Sequence, residues 1–294
     1  MHTELLPDTP HGRERAAAIL RAGGLVAFGT ETVYGLGADA RNDRAVAAIY
    51  TAKGRPGINP LISHFTTADD AFTQVTPTPL AYRLAERFWP GPLTMVLPRA
   101  PGCAISPIAT ARLPTAAVRV PAGAGPPARL AACGFPVVGP SAPPSGKVSP
   151  SDAAHVLAGL DGRIDAVLDC GPCRVGVEST IVDLSGAAPV LLRPGGITLE
   201  ALEAACAMPV ATPQASNDSR PCAPGQLSSH YAPGLAVRLD ADTVGADEAL
   251  LAFGPPLPGS PLVWNLSERG DLHEAAARLF AGLRFLDMEG HRRG

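Results

Sequence analysis

The stretch Leu25-Val26-Ala27-Phe28-Gly29-Thr30-Glu31-Thr32-Val33-Tyr34-Gly35-Leu36-Gly37 joins an apolar run to a loop of glycines and hydroxyl side chains. The run from Leu25 to Phe28 predicts a short buried strand. The glycines after it allow a ligand to approach the backbone closely, and the hydroxyl and amide groups can hold polar substrate groups. A plain tight turn after a strand would show the same residues, so this stretch alone leaves the function open.

Strands and helices alternate on both sides of this stretch. The predicted helices cover residues 9–21, 43–53, 78–88, 126–132, 150–158 and 199–206, the second of them capped by Asp43. The further predicted strands cover residues 61–65, 93–97, 116–120, 136–139, 164–168, 179–184 and 190–192. Many short strands mixed with helices predict an α/β (α+β-like) fold built on one large twisted sheet.

The sequence predicts a change of organisation after residue 208. Residues 209–233 are rich in Pro, Ser, Gln, Asn and Asp without an apolar period, which is typical of a linker. Residues 234–294 then form a small α/β unit with predicted strands at 236–239, 249–253 and 262–265. A helix begins at the capping-box pattern Asp271…Glu274 and runs to about Leu286. We expect a first domain at residues 1–208 and a second domain that is incomplete.

The overall charge excludes a general electrostatic hold on nucleic acid and allows only a local basic cleft. The chain of 294 residues has a formal net charge of −3 and a sequence pI of about 6.2. No run reaches the roughly 18 apolar residues of a membrane helix, and Met1 to Pro10 has no apolar signal core. We therefore expect a soluble cytoplasmic protein without a membrane partner.

The cysteines do not suggest a disulfide scaffold or a metal site. Six of them are scattered along the chain, and only Cys170 and Cys173 form a C-x-x-C pair. A zinc site needs four ligands, and no second pair lies nearby. Gly171 and Pro172 between the two thiols indicate a turn, so we interpret both cysteines as structural and predict no protein-held metal.

Two cations lie beside a glycine at the end of the predicted helix 43–53. Lys53 and Arg55 could clamp a triphosphate, with Asn59 close by. A solvated helix C-terminus would show the same pair, because cations there interact favourably with the helix dipole. His64 follows in an apolar strand, where a lone histidine is most often a packed core residue.

Thr115 and Arg119 are four residues apart, one directly before and the other inside the predicted strand at 116–120. Both side chains therefore lie on one face of that strand. An arginine inside an apolar strand requires an anionic partner. A substrate carboxylate or an internal aspartate would serve equally well.

Hydroxyl groups and a further arginine complete the candidate set. Ser141 lies in a Gly-Pro-Ser-Ala-Pro-Pro-Ser-Gly loop, and Ser151 precedes a predicted helix, where hydroxyls and amides suit a phosphate as well as ordinary capping. Ser179 and Arg193 lie at strand ends, where a plain turn is equally compatible. No Ser-His-Asp set, P-loop or G-x-G-x-x-G motif is present. Cations, hydroxyls and backbone amides suit nucleotidyl transfer, in which positioning and charge neutralisation carry the catalysis.

Together these clusters resemble the YrdC family of threonylcarbamoyl-AMP synthases, over residues 12–207. The motifs that carry the resemblance are Thr30-Glu31-Thr32-Val33-Tyr34-Gly35-Leu36, Lys53-Gly54-Arg55-Pro56, Asn59-Pro60-Leu61-Ile62, Pro90-Gly91-Pro92-Leu93-Thr94, Val118-Arg119-Val120-Pro121, Glu178-Ser179-Thr180-Ile181-Val182-Asp183 and Leu192-Arg193-Pro194-Gly195. The segment from Ala223 to Pro233 is similar to the linker of the two-domain branch. The resemblance implies a mixed sheet with flanking helices and a concave cleft, followed by a small Rossmann-like domain.

The resemblance also implies a two-step reaction. The threonine amine takes up bicarbonate or CO2, and the carbamate oxygen then attacks the α-phosphate of ATP, with Mg2+ on the phosphates. The product would serve a downstream tRNA-modifying transferase complex. By resemblance, threonine contacts Thr32, His64, Arg119, Ser141 and Ser179. ATP contacts Lys53, Arg55, Asn59, Thr115, Pro143, Ser151, Arg193 and Tyr231, and Lys53 and Arg55 are the catalytic pair. In the two-domain branch the linker with this tyrosine folds over the site.

Departures from the family pattern keep alternatives open. Pro143 stands where the family usually has Asn, so a side-chain amide and an N–H are missing there. Gly29 stands where Pro is usual, which loosens the turn. One alternative is a carbamoyl-adenylate module of the type found in hydrogenase-maturation proteins. Another is a non-catalytic RNA-binding homologue, although aromatic residues for base stacking make up only 5% of the chain.

Overall fold

The computed structural model describes residues 2–122, 131, 133–142, 147–212, 221–226 and 233–293, without the side chains of 291–293. Pro143, Tyr231 and nearly all of the predicted helix at 126–132 lie outside the described residues. The described helices are α1 Pro10–Arg21, α2 Asp43–Lys53, α3 Ala68–Gln74, α4 Pro79–Phe88, α5 Ala153–Leu160, α6 Leu199–Cys206 and α7 Leu272–Arg293. None of these is both long and apolar enough to cross a membrane.

The strands alternate with these helices and confirm the predicted α/β fold. They are β1 Glu4–Pro7, β2 Val26–Gly29, β3 Tyr34–Asp39, β4 Ile62–His64, β5 Leu93–Pro98, β6 Thr115–Arg119, β7 Val137–Val138, β8 Ala166–Asp169, β9 Thr180–Asp183, β10 Val190–Arg193, β11 Ala249–Ala252 and β12 Leu262–Asn265. Among the described residues, ten strands form one sheet in the order β1-β8-β2-β3-β7-β4-β6-β5-β9-β10. Parallel and antiparallel pairs both occur, so the sheet is mixed.

The stretch from Leu25 to Gly37 forms the β2–β3 hairpin, whose strands lie between β8 and β7 in this sheet. Its antiparallel register pairs Val26 with Gly37 and Gly29 with Tyr34. Tyr34 and Leu36 are fully buried, and the tyrosine hydroxyl donates to the Gly171 carbonyl at 2.9 Å. These contacts hold β3 in place, and the hairpin tip, residues 30–33, lies between the end of β2 and the start of β3.

Local sequence signals explain the helix that carries the predicted phosphate clamp. The cap of α2 is Asn42, whose side chain accepts hydrogen bonds from Arg44 and Ala45, and not Asp43 as the sequence suggested. Asp43 instead accepts from the hydroxyl of Ser106 at 2.5 Å. The helix ends at Gly54, which has a left-handed φ of 58° that favours glycine.

The predicted thiol turn is present after β8. Both cysteines of the pair are in the thiol form, with Cys173 buried and Cys170 half-buried. The Gly29 amide donates to the Cys170 sulfur at 3.3 Å, and Gly171 has a φ of 71°. The cysteine nearest to the hairpin therefore packs as part of the fold.

The C-terminal unit consists of the parallel pair β11–β12 covered by α7. The predicted strand at Ala236–Leu239 is wrong, because those residues form no ladder and Leu239 is 78% exposed. Arg238 in this segment instead forms an ion pair with Glu248 at 2.7 Å. The side chain, and not the backbone, thus attaches the segment to the residues before β11. Helix α7 also runs past the predicted end at Leu286.

Candidate active site

A cavity lies where β2, β4 and β6 end, below the tip of the β2–β3 hairpin. Parallel strands β4 and β6 place His64 directly opposite Arg119 in the register. Residues predicted to bind threonine and residues predicted to bind ATP line this cavity together, namely Thr32, Arg55, His64, Arg119, Ser141, Ser179 and Arg193. The sheet therefore assembles residues from five distant motifs into one site.

Arg119 is held by three hydrogen bonds at one end of the cavity. It donates to the Gly91 carbonyl at 3.2 Å, to the Thr32 hydroxyl at 3.0 Å and to a Glu31 carboxylate oxygen at 2.6 Å. The Glu31–Arg119 ion pair is almost fully buried. A guanidinium has five N–H donors. The three contacts with described residues therefore leave two donors for a ligand. The internal partner required by a buried arginine is a glutamate.

The tip of the hairpin orients the hydroxyl that Arg119 contacts. The Thr30 and Thr32 hydroxyls are 2.8 Å apart, and Thr30 also donates to the Val33 carbonyl at 2.8 Å. The amides of Thr32 and Val33 point back to the Thr30 hydroxyl at 3.2 and 3.3 Å. This local network fixes the side chain of Thr32, which would otherwise rotate.

His64 lies beside Arg119 and is buried without charge. Burial and the neighbouring Arg119 lower the pKa of His64 to about 3. Its ring packs edge-on against Phe28, and its Nδ1 has no hydrogen-bond partner among the described residues. The interpretation as a packed core residue therefore explains its burial but not this polar atom, which can receive a ligand.

Arg193 organises a second group of residues that line the cavity. Its Nε donates to the Ser179 carbonyl and its Nη2 to the Ser179 hydroxyl, both at 3.0 Å. The same hydroxyl lies 2.8 Å from that of Thr94. The guanidinium is 3.6 Å from Glu178, whose other carboxylate oxygen accepts from Ser149 at 2.6 Å.

Lys53 and Arg55 enter from the C-terminus of α2 and are buried, which contradicts a solvated helix end. Lys53 is 3% exposed and donates to the Ser141 carbonyl, while Arg55 is 7% exposed and donates to the carbonyls of Asn59 and Pro60. Burial, and then the charge of Arg55, lowers the pKa of Lys53 well below its usual range. The buried amide of Asn59 has no side-chain partner within the described part of the chain.

Charge in this region is unbalanced. Lys53, Arg55, Arg119 and Arg193 are all buried, and the carboxylates among them are those of Glu31 and Glu178. Buried cations need anionic or hydrogen-bonding partners. A site with more cationic side chains than carboxylates is suited to a polyanionic ligand.

Some predicted ATP contacts do not line this cavity. Thr115 begins β6, four residues and so roughly 13 Å before Arg119 along the strand. Ser151 is buried next to the ring of His155 at 3.3 Å, just before α5. Lys53 and Asn59 are not among the lining residues, although Lys53 donates to the carbonyl of Ser141, which is. Pro143 and Tyr231 fall outside the described residues.

Glu31 and Glu178 are the site residues that the sequence did not assign. Both stand inside motifs that were singled out, but no role followed from their position. The requirement of Arg119 for an anion was the available signal for Glu31. The partner could not be identified, because the two residues are 88 positions apart in the chain and meet only in the folded sheet.

Comparison with known families identifies the family of the chain. The Sua5/YciO/YrdC model, described as "Telomere recombination", matches residues 18–195. The chain belongs to this family. A second model, described as the C-terminal domain of threonylcarbamoyl-AMP synthase, matches residues 197–293. Every residue that lines the cavity except Pro224 lies in the part of the chain that the first model matches.

Curated relatives carry the same enzyme name. The chain is 48% identical over 222 residues to the threonylcarbamoyl-AMP synthase of Bacillus subtilis, covering 74% of this chain and 64% of that protein. It is 44% identical over 225 residues to the protein of that name from Pyrococcus abyssi, covering 76% of this chain and 66% of that protein. The chain thus spans less than two thirds of the length of these two relatives.

A solved structure supports the architecture over nearly the whole chain. The crystal structure of P. abyssi Sua5 complexed with L-threonine is similar with a TM-score of 0.86 at 35% identity, covering 98% of this chain and 89% of that chain. The structure of E. coli YciO, at 22% identity and a TM-score of 0.59, shares the fold over 66% of this chain. The predicted fold class and family resemblance are therefore confirmed.

Proposed function

We propose that this chain is a threonylcarbamoyl-AMP synthase, a nucleotidyltransferase that uses ATP, L-threonine and bicarbonate or CO2. The observation that carries the proposal is a single cavity that brings together two groups of side chains with different chemistry, named here the threonine wall and the phosphate wall. One wall offers a braced guanidinium with two N–H donors left, next to an uncharged histidine. The other is approached by Lys53, Arg55 and Arg193. Amino-acid and triphosphate substrates match these two walls.

Threonine binds with its carboxylate on the two remaining N–H donors of Arg119. A planar guanidinium recognises a carboxylate through two parallel hydrogen bonds. The hydroxyls of Thr32, Ser141 and Ser179 and the Nδ1 atom of His64 complete the contacts to the amino acid. Because His64 stays neutral, it adds no charge near the amine, which must lose its proton before it attacks CO2.

The triphosphate binds toward Lys53, Arg55 and Arg193, with Asn59, Thr115, Ser151 and Tyr231 as further ATP contacts. The neutral amine nitrogen forms a bond to the carbon of CO2, one C=O π bond opens to give the carbamate oxygen anion, and the N–H proton passes to water. That carbamate oxygen then attacks the α-phosphorus. The bond between that phosphorus and the oxygen bridging to the β-phosphate breaks, and pyrophosphate leaves. Cations aimed at the phosphates stabilise the charge that develops on the leaving group.

Magnesium accompanies ATP in this proposal as an ion held by phosphate oxygens. The described residues contain no group of three or more His, Cys, Asp or Glu side chains able to hold a metal ion. Glu178 is the carboxylate that lines the cavity, and Ser149 and Arg193 already engage it. Bound to the phosphates, the ion would neutralise charge and assist the departure of pyrophosphate.

The product, a mixed anhydride of AMP with N-carboxythreonine, is an activated acyl donor. An enzyme that transfers the threonylcarbamoyl group to a tRNA base must therefore act after this chain. The catalytic domain in this proposal ends at residue 208, and the linker 209–233 lies between it and the C-terminal unit. Direct binding of tRNA is a separate question, which salt-dependent binding without ATP would address.

Pyrophosphate release from ATP tests the proposed function. We expect release that requires both threonine and bicarbonate, and a product with the mass of threonylcarbamoyl-AMP. Release that ignores threonine but needs carbamoyl phosphate would favour a carbamoyl-adenylate module. Absence of release under every combination of substrates, with tight tRNA binding, would favour a non-catalytic RNA-binding homologue.

A further inference from the structure

Helix α7 of the C-terminal unit packs against the catalytic unit next to the cavity. Phe280 of this helix forms an apolar cluster with Val33 and Val148, and all three side chains are 5% exposed. Leu279 and Leu283 pack around them. Val33 itself lines the cavity and directly follows Thr32, whose hydroxyl contacts Arg119. The C-terminal unit thus contacts the back of the hairpin tip that forms the threonine wall.

A polar contact fixes the same helix to the loop at residues 147–149. Arg284 donates from Nη2 to the carbonyl of Val148, and its buried Nε has no partner among the described residues. Burial lowers the pKa of Arg284, and the nearby Asp152 opposes that effect. A cation kept in such a buried position serves a specific contact, since burial of its charge costs free energy.

This loop is connected to the phosphate wall through one residue. Ser149 follows Val148 and donates to Glu178 at 2.6 Å, and Glu178 lies 3.6 Å from Arg193. The path from α7 to the phosphate wall is therefore Arg284, the loop backbone, Ser149 and Glu178. Arg284 is half-buried, and Val148, Ser149 and Glu178 are buried.

The close approach of α7 also depends on a glycine before Glu178. A Cβ atom at Gly176 would lie 2.5 Å from the Ala277 Cα and 2.7 Å from the Ala276 carbonyl oxygen. Gly176 has a φ of 73°, which favours glycine as well. The segment that leads to Glu178 and Ser179 thus lies directly against the helix backbone.

We propose that Phe280 and Arg284 are positioning residues of the synthase site, through which the C-terminal unit fixes the hairpin tip and the loop at 147–149. The proposal rests on the proposed function. Neither side chain touches the substrates. Phe280 acts on the threonine wall through Val33, and Arg284 acts on the phosphate wall through Val148, Ser149 and Glu178. A helix that only stabilised the fold would affect both substrates equally or neither.

Steady-state kinetics on Arg284→Met and Phe280→Ala test this assignment. We expect Arg284→Met to raise the KM for ATP about fivefold while the KM for threonine changes by less than about twofold. Phe280→Ala should raise the KM for threonine by a similar factor. Arg284→Lys, which keeps a donor, should recover part of the loss.

Phe285→Ala is the matched control on the same helix. Phe285 packs on Trp264 within the C-terminal unit at a ring distance of 5.2 Å. It should lower the melting temperature as much as Phe280→Ala without changing either KM. Equal KM changes in both variants would overturn the proposal, because general destabilisation would then explain them.

A double-mutant cycle with Ser149→Ala tests the path from Arg284. If Arg284 acts through the loop, its substitution should change the KM for ATP by less than about twofold once Ser149 is alanine. Fully multiplicative effects would overturn the path. Calorimetric binding of ATP gives the same comparison without turnover. A wild-type chain that binds ATP but releases no pyrophosphate would reject the proposed function, and the cycle would still decide the positioning role.

Discussion

The two walls of the cavity hold their arginines differently. Glu31 pairs with Arg119 at 2.6 Å and both groups are almost fully buried, so the threonine wall is electrically balanced and braced before any ligand arrives. Glu178 lies 3.6 Å from Arg193, and Lys53 and Arg55 donate to backbone carbonyls nearby. The phosphate wall therefore has an excess of positive charge. The difference indicates that one wall selects by geometry and the other by charge.

Removal of Lys53 should give the largest effect and separate the walls most clearly. Lys53→Ala should reduce kcat/KM for pyrophosphate release about 100- to 1,000-fold, because a positioned cation at the developing charge is lost. Steady-state pyrophosphate release measures this. Arg44→Ala, at an exposed cation of the same helix α2, should stay within about twofold of wild type. Comparable losses in both variants would contradict a specific phosphate clamp.

Neutralising Glu31 should affect the threonine wall alone. Glu31→Gln should raise the KM for threonine about tenfold, because Arg119 loses the charge that braces it. The KM for ATP should change little. Glu4→Gln, at the exposed ion pair with Arg15, provides the control and should leave both constants unaltered. A rise confined to the KM for ATP would contradict the proposal that Arg119 binds threonine.

His64 should make stability depend on pH in the acid range. Its pKa is about 3 in the fold and 6.5 in the unfolded chain, so the unfolded state binds the extra proton as pH falls below 6.5. Stability is therefore lost from pH 6.5 downward to 3, by about 1 kcal/mol at pH 5.5. In chemical denaturation, the free energy of unfolding of His64→Leu should fall less steeply below pH 6.5 than that of the wild type. If His273→Leu, at an exposed histidine, reduced the pH dependence of stability equally, burial of His64 would not explain that dependence.

Restoring the usual family residue at position 143 should have the smallest effect. Pro143→Asn returns a side-chain amide and a backbone N–H to the loop after Ser141. We expect the KM for ATP to fall about threefold, as one added hydrogen bond would give. A KM for ATP identical to wild type would mean that this chain needs no contact at that position.

Local signals predicted the elements well, whereas distant pairings stayed hidden. Helix α6 has the predicted bounds because its cap and end are encoded nearby. Strand β1 was missed, since it pairs with β8 some 160 residues later. The strand expected at 236–239 is mostly apolar but has no ladder partner. In the same way the motifs predicted Arg119, and only the folded sheet identified Glu31 as its partner.

Separate calorimetric titrations of threonine and of ATP test the division of the cavity most directly. Lys53→Ala should lose at least about tenfold in affinity for ATP and bind threonine like wild type, and Arg119→Ala should show the reverse. Arg119→Ala with normal threonine affinity, or a loss of both affinities in both variants, would contradict the account.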